Sequence, residues 1–410
     1  MTALFLTLGE CAKEKKEVKD LKPMLDLTKE YGLVLEGGGA KGAYQIGAWR
    51  AMKEAGVRLK GIAGTSVGAL NGALICMDDL EKAENVWENI TYSSIMSVED
   101  EKMEQLFREK KLDMDLLKDA VDLMKEGGID VTPLKELIAG CIDEEKILSS
   151  PVELYAMTFN VDQAKEMEIN IKECEPELIR DFLLASAYIF PFFKNEKLHG
   201  KRYIDGGAVN NVPLDCLIDK EYKDIIVIRI FGIGREKKVR IPEDTKVYTV
   251  APRVSLGRVM EFDRKKSRLH MTIGYYDTMR LIYGLKGIIY YIDESEEECY
   301  YLKQLTDLDD TVYAYLMETF HRSGEPKLYM RSMTEMILPV LADEMNLEKD
   351  WTYRDLYLTM LEATAKICKV PKYKIYTLEE LQTEVWKRLE RLKGTEVPAF
   401  VQVISKSGLI

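Results

Sequence analysis

The segment Gly64-Thr65-Ser66-Val67-Gly68 fits the pattern G-x-S-x-G, in which a serine hydroxyl is carried on a sharp turn between a strand and a helix. The run Lys60–Gly64 ahead of it reads as a short strand. The small residues Ala69–Cys76 behind it read as a helix that can lie close against a sheet. In that setting Ser66 is a candidate nucleophile at the positive end of a helix; in an ordinary turn it would only cap that helix. A second glycine group, Gly37-Gly38-Gly39-Ala40-Lys41-Gly42, lies between the apolar strand Tyr31–Leu35 and a helix carrying Ile46, Trp49 and Met52 on one face and closed by Gly56. Glycines there let the backbone turn tightly and present N–H groups to an anion. The same spacing meets the dinucleotide fingerprint G-x-G-x-x-G, yet no acid stands between Gly56 and Val67 to hold a ribose. A tight turn, an oxyanion-binding loop and a dinucleotide site all remain open for this group. A third group, Asp205-Gly206-Gly207, follows the strand Arg202–Ile204 and offers a carboxylate on a tight turn; alone, it is also a plain Asx-turn.

Position brings the three together. Each falls at the end of an expected strand, and in open α/β sheets sites assemble at the carboxyl edge. Backbone donors, a serine hydroxyl and a carboxylate at one edge make a hydrolytic constellation, with Ser66 as nucleophile and Asp205 as base. A triad would need a histidine. His270 and His321 lie in helical contexts and read as surface residues, and His199 has nothing but nearness in sequence to recommend it. A Ser66–Asp205 pair is the simpler proposal, and it requires Asp205 to be desolvated enough to hold a proton.

Further strands are expected at Glu153–Phe159, Asp224–Ile230 and Lys246–Val250, with a helical insertion over 78–150. Alternation of strands and helices implies an α/β layered domain with a mostly parallel sheet, opened by a right-handed βαβ crossover. The pattern turns helical from about residue 253, and the acidic cluster 293–298 marks a boundary. The expected organisation is an extension over 1–30, an α/β domain over 31–292 with its motif core at 31–213, and a helical C-terminal domain over 293–410.

A chain of 410 residues with 46% hydrophobic and 31% charged residues can bury a sizeable core, which excludes disorder. Its net charge of −12 argues against nucleic acid as a partner. Seven cysteines without a CxxC fit a reducing compartment, and three histidines offer no His-rich metal site. Residues 1–11 lack the charged start and long apolar core of a signal peptide, and no apolar stretch of about 18 residues occurs. The expected location is cytoplasmic, with membrane contact at most peripheral. For such contact the basic stretch Arg253–His270, read as an amphipathic helix, is the candidate, although a solvated helix face explains it as well.

Residues 33–45 (Leu-Val-Leu-Glu-Gly-Gly-Gly-Ala-Lys-Gly-Ala-Tyr-Gln), Gly64–Gly68, Ala185–Pro191 and Asp205–Gly207 together resemble the patatin-like phospholipases. The resemblance is firm over 31–213 and looser to about 292. It implies a three-layer α/β/α fold and lipid acyl hydrolase activity on an acyl-ester substrate, through a Ser-Asp dyad and without metal or cofactor. Carried over position by position, it implies Ser66 as nucleophile in the elbow of Gly64 and Gly68, and Asp205 as base on the loop of Gly206 and Gly207. Gly37, Gly38, Gly39 and Gly42 match the oxyanion loop. Lys41 stands where many members have Arg, and lacks the planar fork of a guanidinium. A non-catalytic lipid-binding or regulatory module, or an oxidoreductase using Gly37–Gly42 for a nucleotide, are the competing expectations.

Overall fold

The computed structural model describes residues 21–108, 128–189, 193, 197–320 and 329–406. The chain forms two compact units, one over Pro23–Ile282 and one that holds Tyr283–Ile410. The acidic cluster at 293–298 therefore lies inside the second unit. The first unit is the α/β domain. Its strand β1 (Glu30–Leu35) leads through the glycine loop into helix α1 (Ala43–Ala55), and β2 (Arg58–Thr65) leads into α2 (Val67–Cys76). Helices α3 (Leu80–Asn89), α4 (Asp100–Arg108), α5 (Thr132–Cys141) and α6 (Glu144–Ser149) form the insertion. There follow β3 (Glu153–Asn160), β4 (Lys165–Asn170), α7 (Pro176–Ser186), β5 (Tyr203–Asp205), α8 (Leu214–Asp219), β6 (Asp224–Ile228), β7 (Lys246–Val250) and α9 (Arg264–Tyr283).

The seven strands make one sheet in the order β4-β3-β2-β1-β6-β7, with β5 paired to β3. Neighbours from β3 through β7 run parallel, whereas β4 and β5 are both antiparallel to β3. Parallel strands flanked by helices are buried on both faces, and the continuous apolar runs of β1 and β6 match that burial. On one face Val34, Ala63, Met157 and Val227 pack with Cys216 and Leu217 of α8. On the other, Gly72 of α2 sits so close to Ile62 and Leu154 that a Cβ there would lie 3.1 and 3.0 Å from them. The small residues of α2 thus let the helix lie down on the sheet.

The second unit is helical around a large apolar core, from Tyr301 and Leu305 through Leu361 and Leu381 to Ile404. It is not wholly helical: β8 (Tyr291–Asp293) pairs in parallel with β9 (Ile375–Thr377). The reading of residues 253–270 as one helix needs correction as well. Residues 253–263 are irregular, Gly257 is left-handed at φ +79°, and α9 starts only at Arg264. Leu256 and Phe262, expected on the apolar face of that helix, are buried in the domain.

Candidate active site

Strand β3 explains how a serine and an aspartate far apart in sequence meet. Its first residues pair with β2 up to Thr65↔Met157, and the same edge then pairs with β5 from Thr158↔Asp205. Strands β2 and β5 run in opposite directions along one edge, so their carboxyl ends meet head to head. Asp205 therefore arrives beside Ser66 by returning from the sheet edge, and not by ending a parallel strand as its neighbours do.

Ser66 stands between β2 and α2 at φ 56°, ψ −126°, an unfavourable backbone for a residue with a side chain, costing about 1–3 kcal/mol. Several contacts hold it there. Its N–H donates to Ser186 Oγ at 2.9 Å, and Ser186 Oγ donates onward to the Met157 carbonyl at 2.6 Å. Thr65 Oγ1 donates to the Asn210 carbonyl at 2.8 Å. The flanking glycines are required by close approach: a Cβ on Gly64 would lie 2.4 Å from the Gly68 carbonyl, and one on Gly68 would lie 2.3 Å from the Leu35 carbonyl. The Ser66 side chain does not cap α2, so the plain capping role is not the one it plays.

Its hydroxyl meets Asp205 instead. The Asp205 carboxyl is pushed up from its ordinary 3.8 to about 6; burial raises it, and hydrogen bonds from the Ser66 hydroxyl and the Gly207 N–H only partly offset this. The Gly207 N–H donates to Asp205 Oδ1 at 2.7 Å, so the Asx-turn is present too. The turn and the contact with Ser66 are compatible because a carboxylate accepts several hydrogen bonds.

The glycine loop lies against this pair. A Cβ on Gly37 would come within 3.3 Å of the Ser66 Cβ. The four loop glycines differ in what they offer. The Gly37 N–H is already given to the Asn211 carbonyl at 3.1 Å. Gly42 is pressed against Val67 and Trp87. Gly38 and Gly39 have amides with no backbone hydrogen bond among the described residues, and Gly39 is left-handed at φ +53°. Lys41 is buried, and its Nζ donates to the Phe231 carbonyl at 2.6 Å. A single-point contact of this kind needs no guanidinium fork.

A carboxylate that the sequence reading passed over organises the loop from behind. Glu36 is 2% exposed and accepts from the N–H groups of Ile230, Phe231 and Gly232 and from Arg229 Nε, at 2.7 to 3.1 Å. Asn211 Nδ2 donates to the Gly37 carbonyl at 3.1 Å. A glutamate directly after a fully apolar strand was the signal available for it; Ser186, within Ala185–Pro191, had none.

Beside Ser66 opens an apolar cavity, partly open to solvent. Ser66 and Gly39 line it together with Leu74 of α2, Trp87 of α3, and Leu134 and Ile138 of α5, so the helical insertion supplies much of the wall. Its one buried amide, Asn71, is occupied: it donates to Gln45 and the Gly42 carbonyl and accepts from Trp87 Nε1. The cavity therefore presents carbon surface.

Residues 33–218 match the family model for patatin-like phospholipase. Over these residues, fewer than half of the chain, the sequence is similar to the patatin-like phospholipases. It is 27% identical over 198 residues to patatin-like phospholipase domain-containing protein 7 of Rattus norvegicus, a stretch covering 48% of this chain and 13% of that protein. It is 28% identical over 200 residues to neuropathy target esterase sws of Drosophila melanogaster, again 48% of this chain and 13% of the relative. The chain thus spans a small part of the curated relatives it matches. Among solved structures, VipD of Legionella pneumophila aligns over 90% of this chain and 93% of its own, with 14% identity and a TM-score of 0.39, too loose a likeness to carry an argument.

The two described histidines take other partners than this pair. His199 is exposed, with Nε2 2.6 Å from Asp181 Oδ2. His270 is buried rather than on the surface; it lies behind the glycine loop at Ala40, and burial together with Lys266 pushes its pKa down to about 4, so it stays neutral. His321, Phe190 and Pro191 lie outside the described residues. Among the described residues no group of three or more His, Cys, Asp or Glu is arranged to hold a metal ion, and no helix is long and apolar enough to cross a membrane.

Proposed function

We propose that the chain is a lipid acyl hydrolase in which Ser66 is the nucleophile and Asp205 the general base. The observation that carries the reading is a buried serine hydroxyl hydrogen-bonded to a carboxylate of raised proton affinity, at the mouth of an apolar cavity. Ser66 Oγ forms a bond to the carbonyl carbon of an acyl ester as its proton passes to Asp205. The oxygen that gains charge faces the Gly38 and Gly39 amides, each donor worth on the order of 3 kcal/mol to the transition state. Asp205 returns the proton to the departing alcohol as the ester C–O bond breaks, and the fatty acyl chain stays on Ser66 in the carbon-lined cavity. Water then gives a proton to Asp205 and attacks the acyl carbon; the fatty acid leaves and Ser66 regains its proton. A base with a pKa near 6 is ionised at neutral pH and still accepts a proton far more readily than an ordinary carboxylate.

The test is covalent labelling with an alkyl fluorophosphonate, followed by product analysis with a phospholipid and with a soluble p-nitrophenyl ester. Ser66 should be modified, and Ser66→Ala should be neither modified nor active. Absence of labelling in the folded wild type would remove the nucleophile assignment and leave a lipid-binding module as the better account.

A further inference from the structure

The segment Arg229–Arg240 crosses both loops of the site, and it is built to expose what a soluble domain normally hides. Its backbone is tied down on one side. Gly232 donates its N–H to Glu36 and lies so close to the glycine loop that a Cβ there would meet the Gly37 carbonyl at 1.8 Å. Gly234 sits against Asn211, and Arg235 exchanges backbone hydrogen bonds with Gly207 and Asn211 at 2.7 Å. The two glycines take the inward positions, and the residues on either side of Gly232 are exposed: Phe231 is 55% exposed and Ile233 is 85% exposed. Phe231 holds a left-handed backbone at φ +48°, uncommon for a bulky residue, and the Arg229 guanidinium lies over its ring at 5.6 Å.

Immediately after this apolar pair the charge becomes positive. Residues 229–240 hold five basic residues and one acid, in a chain whose net charge is −12. Arg229 and Lys237 are neutralised locally by Glu36, Glu236, Glu166 and Asp215. Arg235, Lys238 and Arg240 are exposed and make no ion pair with any described residue. An exposed apolar pair beside uncompensated cations suits one kind of partner: a surface with negative head groups outside and hydrocarbon just beneath.

We propose that Phe231 and Ile233, backed by Arg235, Lys238 and Arg240, dock the patatin-like domain on anionic phospholipid membranes. The apolar pair enters the head-group boundary while the cations meet lipid phosphates and carboxylates. Because the segment borders both the glycine loop and the Asp205 loop, docking brings the site to the lipid. The inference rests on the lipid-hydrolase reading for its purpose, but it is tested without turnover.

The experiment is co-sedimentation of the full chain carrying Ser66→Ala with vesicles of phosphatidylcholine alone and of phosphatidylcholine with phosphatidylserine, at low and high salt. The chain should pellet with the phosphatidylserine vesicles at low salt and be released by high salt. Adding Ile233→Asp should lower the bound fraction about tenfold or more, as should Lys238→Glu with Arg240→Glu, whereas Ile233→Trp should bind at least as well as isoleucine. With Ser66 intact, Ile233→Asp should slow hydrolysis of vesicle lipid and leave hydrolysis of a soluble ester unchanged. Failure of the chain to pellet, or equal binding by Ile233→Asp, overturns the docking proposal. So does a dimer in solution that Ile233→Asp splits, because the patch would then serve a second copy of the chain. Loss of soluble-ester hydrolysis in the wild type would instead defeat the hydrolase reading and leave the sedimentation result standing.

Discussion

Asp205→Asn should cut turnover about 10²–10⁴-fold and, at neutral pH, make the protein more stable. A carboxyl moved from 3.8 to about 6 by folding favours its neutral form in the folded chain by about 3 kcal/mol. The sign follows from linkage. The folded state binds this proton more tightly than the unfolded state, so the favourable contribution is complete below about pH 4 and is lost as pH rises through about 6. Above that, the ionised Asp205 is a cost to the fold. Asparagine removes the charge, keeps an oxygen for the Gly207 N–H, and cannot accept a proton from Ser66. Some of the 3 kcal/mol will be returned through a weaker bond to the Ser66 hydroxyl, so a gain of about 1–2 kcal/mol is expected, or several degrees in Tm for a unit of this size.

The assay is thermal melting of wild type and variant at intervals between pH 4 and pH 8, with initial rates on a soluble ester. The gap in Tm should be widest near pH 8 and close as the medium approaches pH 4. Wild-type kcat/KM should rise with a single ionisation near pH 6 and level off above it. The variant should lose about 10²–10⁴-fold at every pH. If the Asp205→Asn variant melts below wild type at pH 8, or the gap does not narrow with acid, then Asp205 is not desolvated as the structure implies. An active, folded variant would dismiss it as the base.

Ser66→Ala should lower ester hydrolysis at least about 10³-fold with the circular dichroism spectrum unchanged, since the covalent route disappears. Glu36→Ala should lower stability by about 3–5 kcal/mol, read in denaturant titration, because it leaves Arg229 Nε and three backbone N–H groups of residues 230–232 without their acceptor. Leu137→Trp, in the wall of the cavity, should move preference toward shorter acyl chains, read as the ratio of kcat/KM for butanoate and long-chain p-nitrophenyl esters; an unchanged ratio would mean that the acyl chain lies elsewhere.

How far the molecule was legible varies by element, for physical reasons. Strands β1, β2, β3 and β6 carry short apolar runs because their inner positions in the sheet bury them, and burial writes itself into composition. β4, Lys-Glu-Met-Glu-Ile-Asn, lies at the sheet edge half in water and carries charge, so nothing in its residues distinguishes it from a loop. β5 could be read as a strand, but three residues hold no information on direction; that is decided by the free end of the β3 edge. The start of α9 was readable: Asp263 accepts from the Lys266 N–H at 2.8 Å, a cap that a closer reading of the basic stretch would have weighed against its apolar spacing. The burial of His270 was not readable, because its neighbours Arg268 and Leu269 face solvent and only the packing of α9 behind the glycine loop takes it inside. At the site, the residue types of Ser66, Asp205 and the glycines were visible because each obeys a local rule of turn chemistry. The division of labour among the glycines was not, since the Gly37 amide is occupied by the Asn211 carbonyl, which comes from another part of the chain.

The unfavourable backbone of Ser66 and the burial of Asp205 have one origin. Where β2 and β5 end against each other on β3, Ser66 must turn sharply into α2, and the Asp205 carboxyl is held between the Ser66 hydroxyl and the Gly207 N–H. Each feature opposes stability by about 1–3 kcal/mol, enough together to unfold a marginal domain. They persist because the surroundings are over-determined, with Ser186 fixing the elbow amide and Glu36 gathering four donors beside the glycine loop. Together these supports hold the Ser66 hydroxyl against the Asp205 carboxyl, beside the cavity that Gly39 also lines. A loop that merely turned the chain would need neither the buried carboxylate at Glu36 nor the strain at Ser66, and the presence of both is the strongest structural reason to read this edge of the sheet as a site of chemistry.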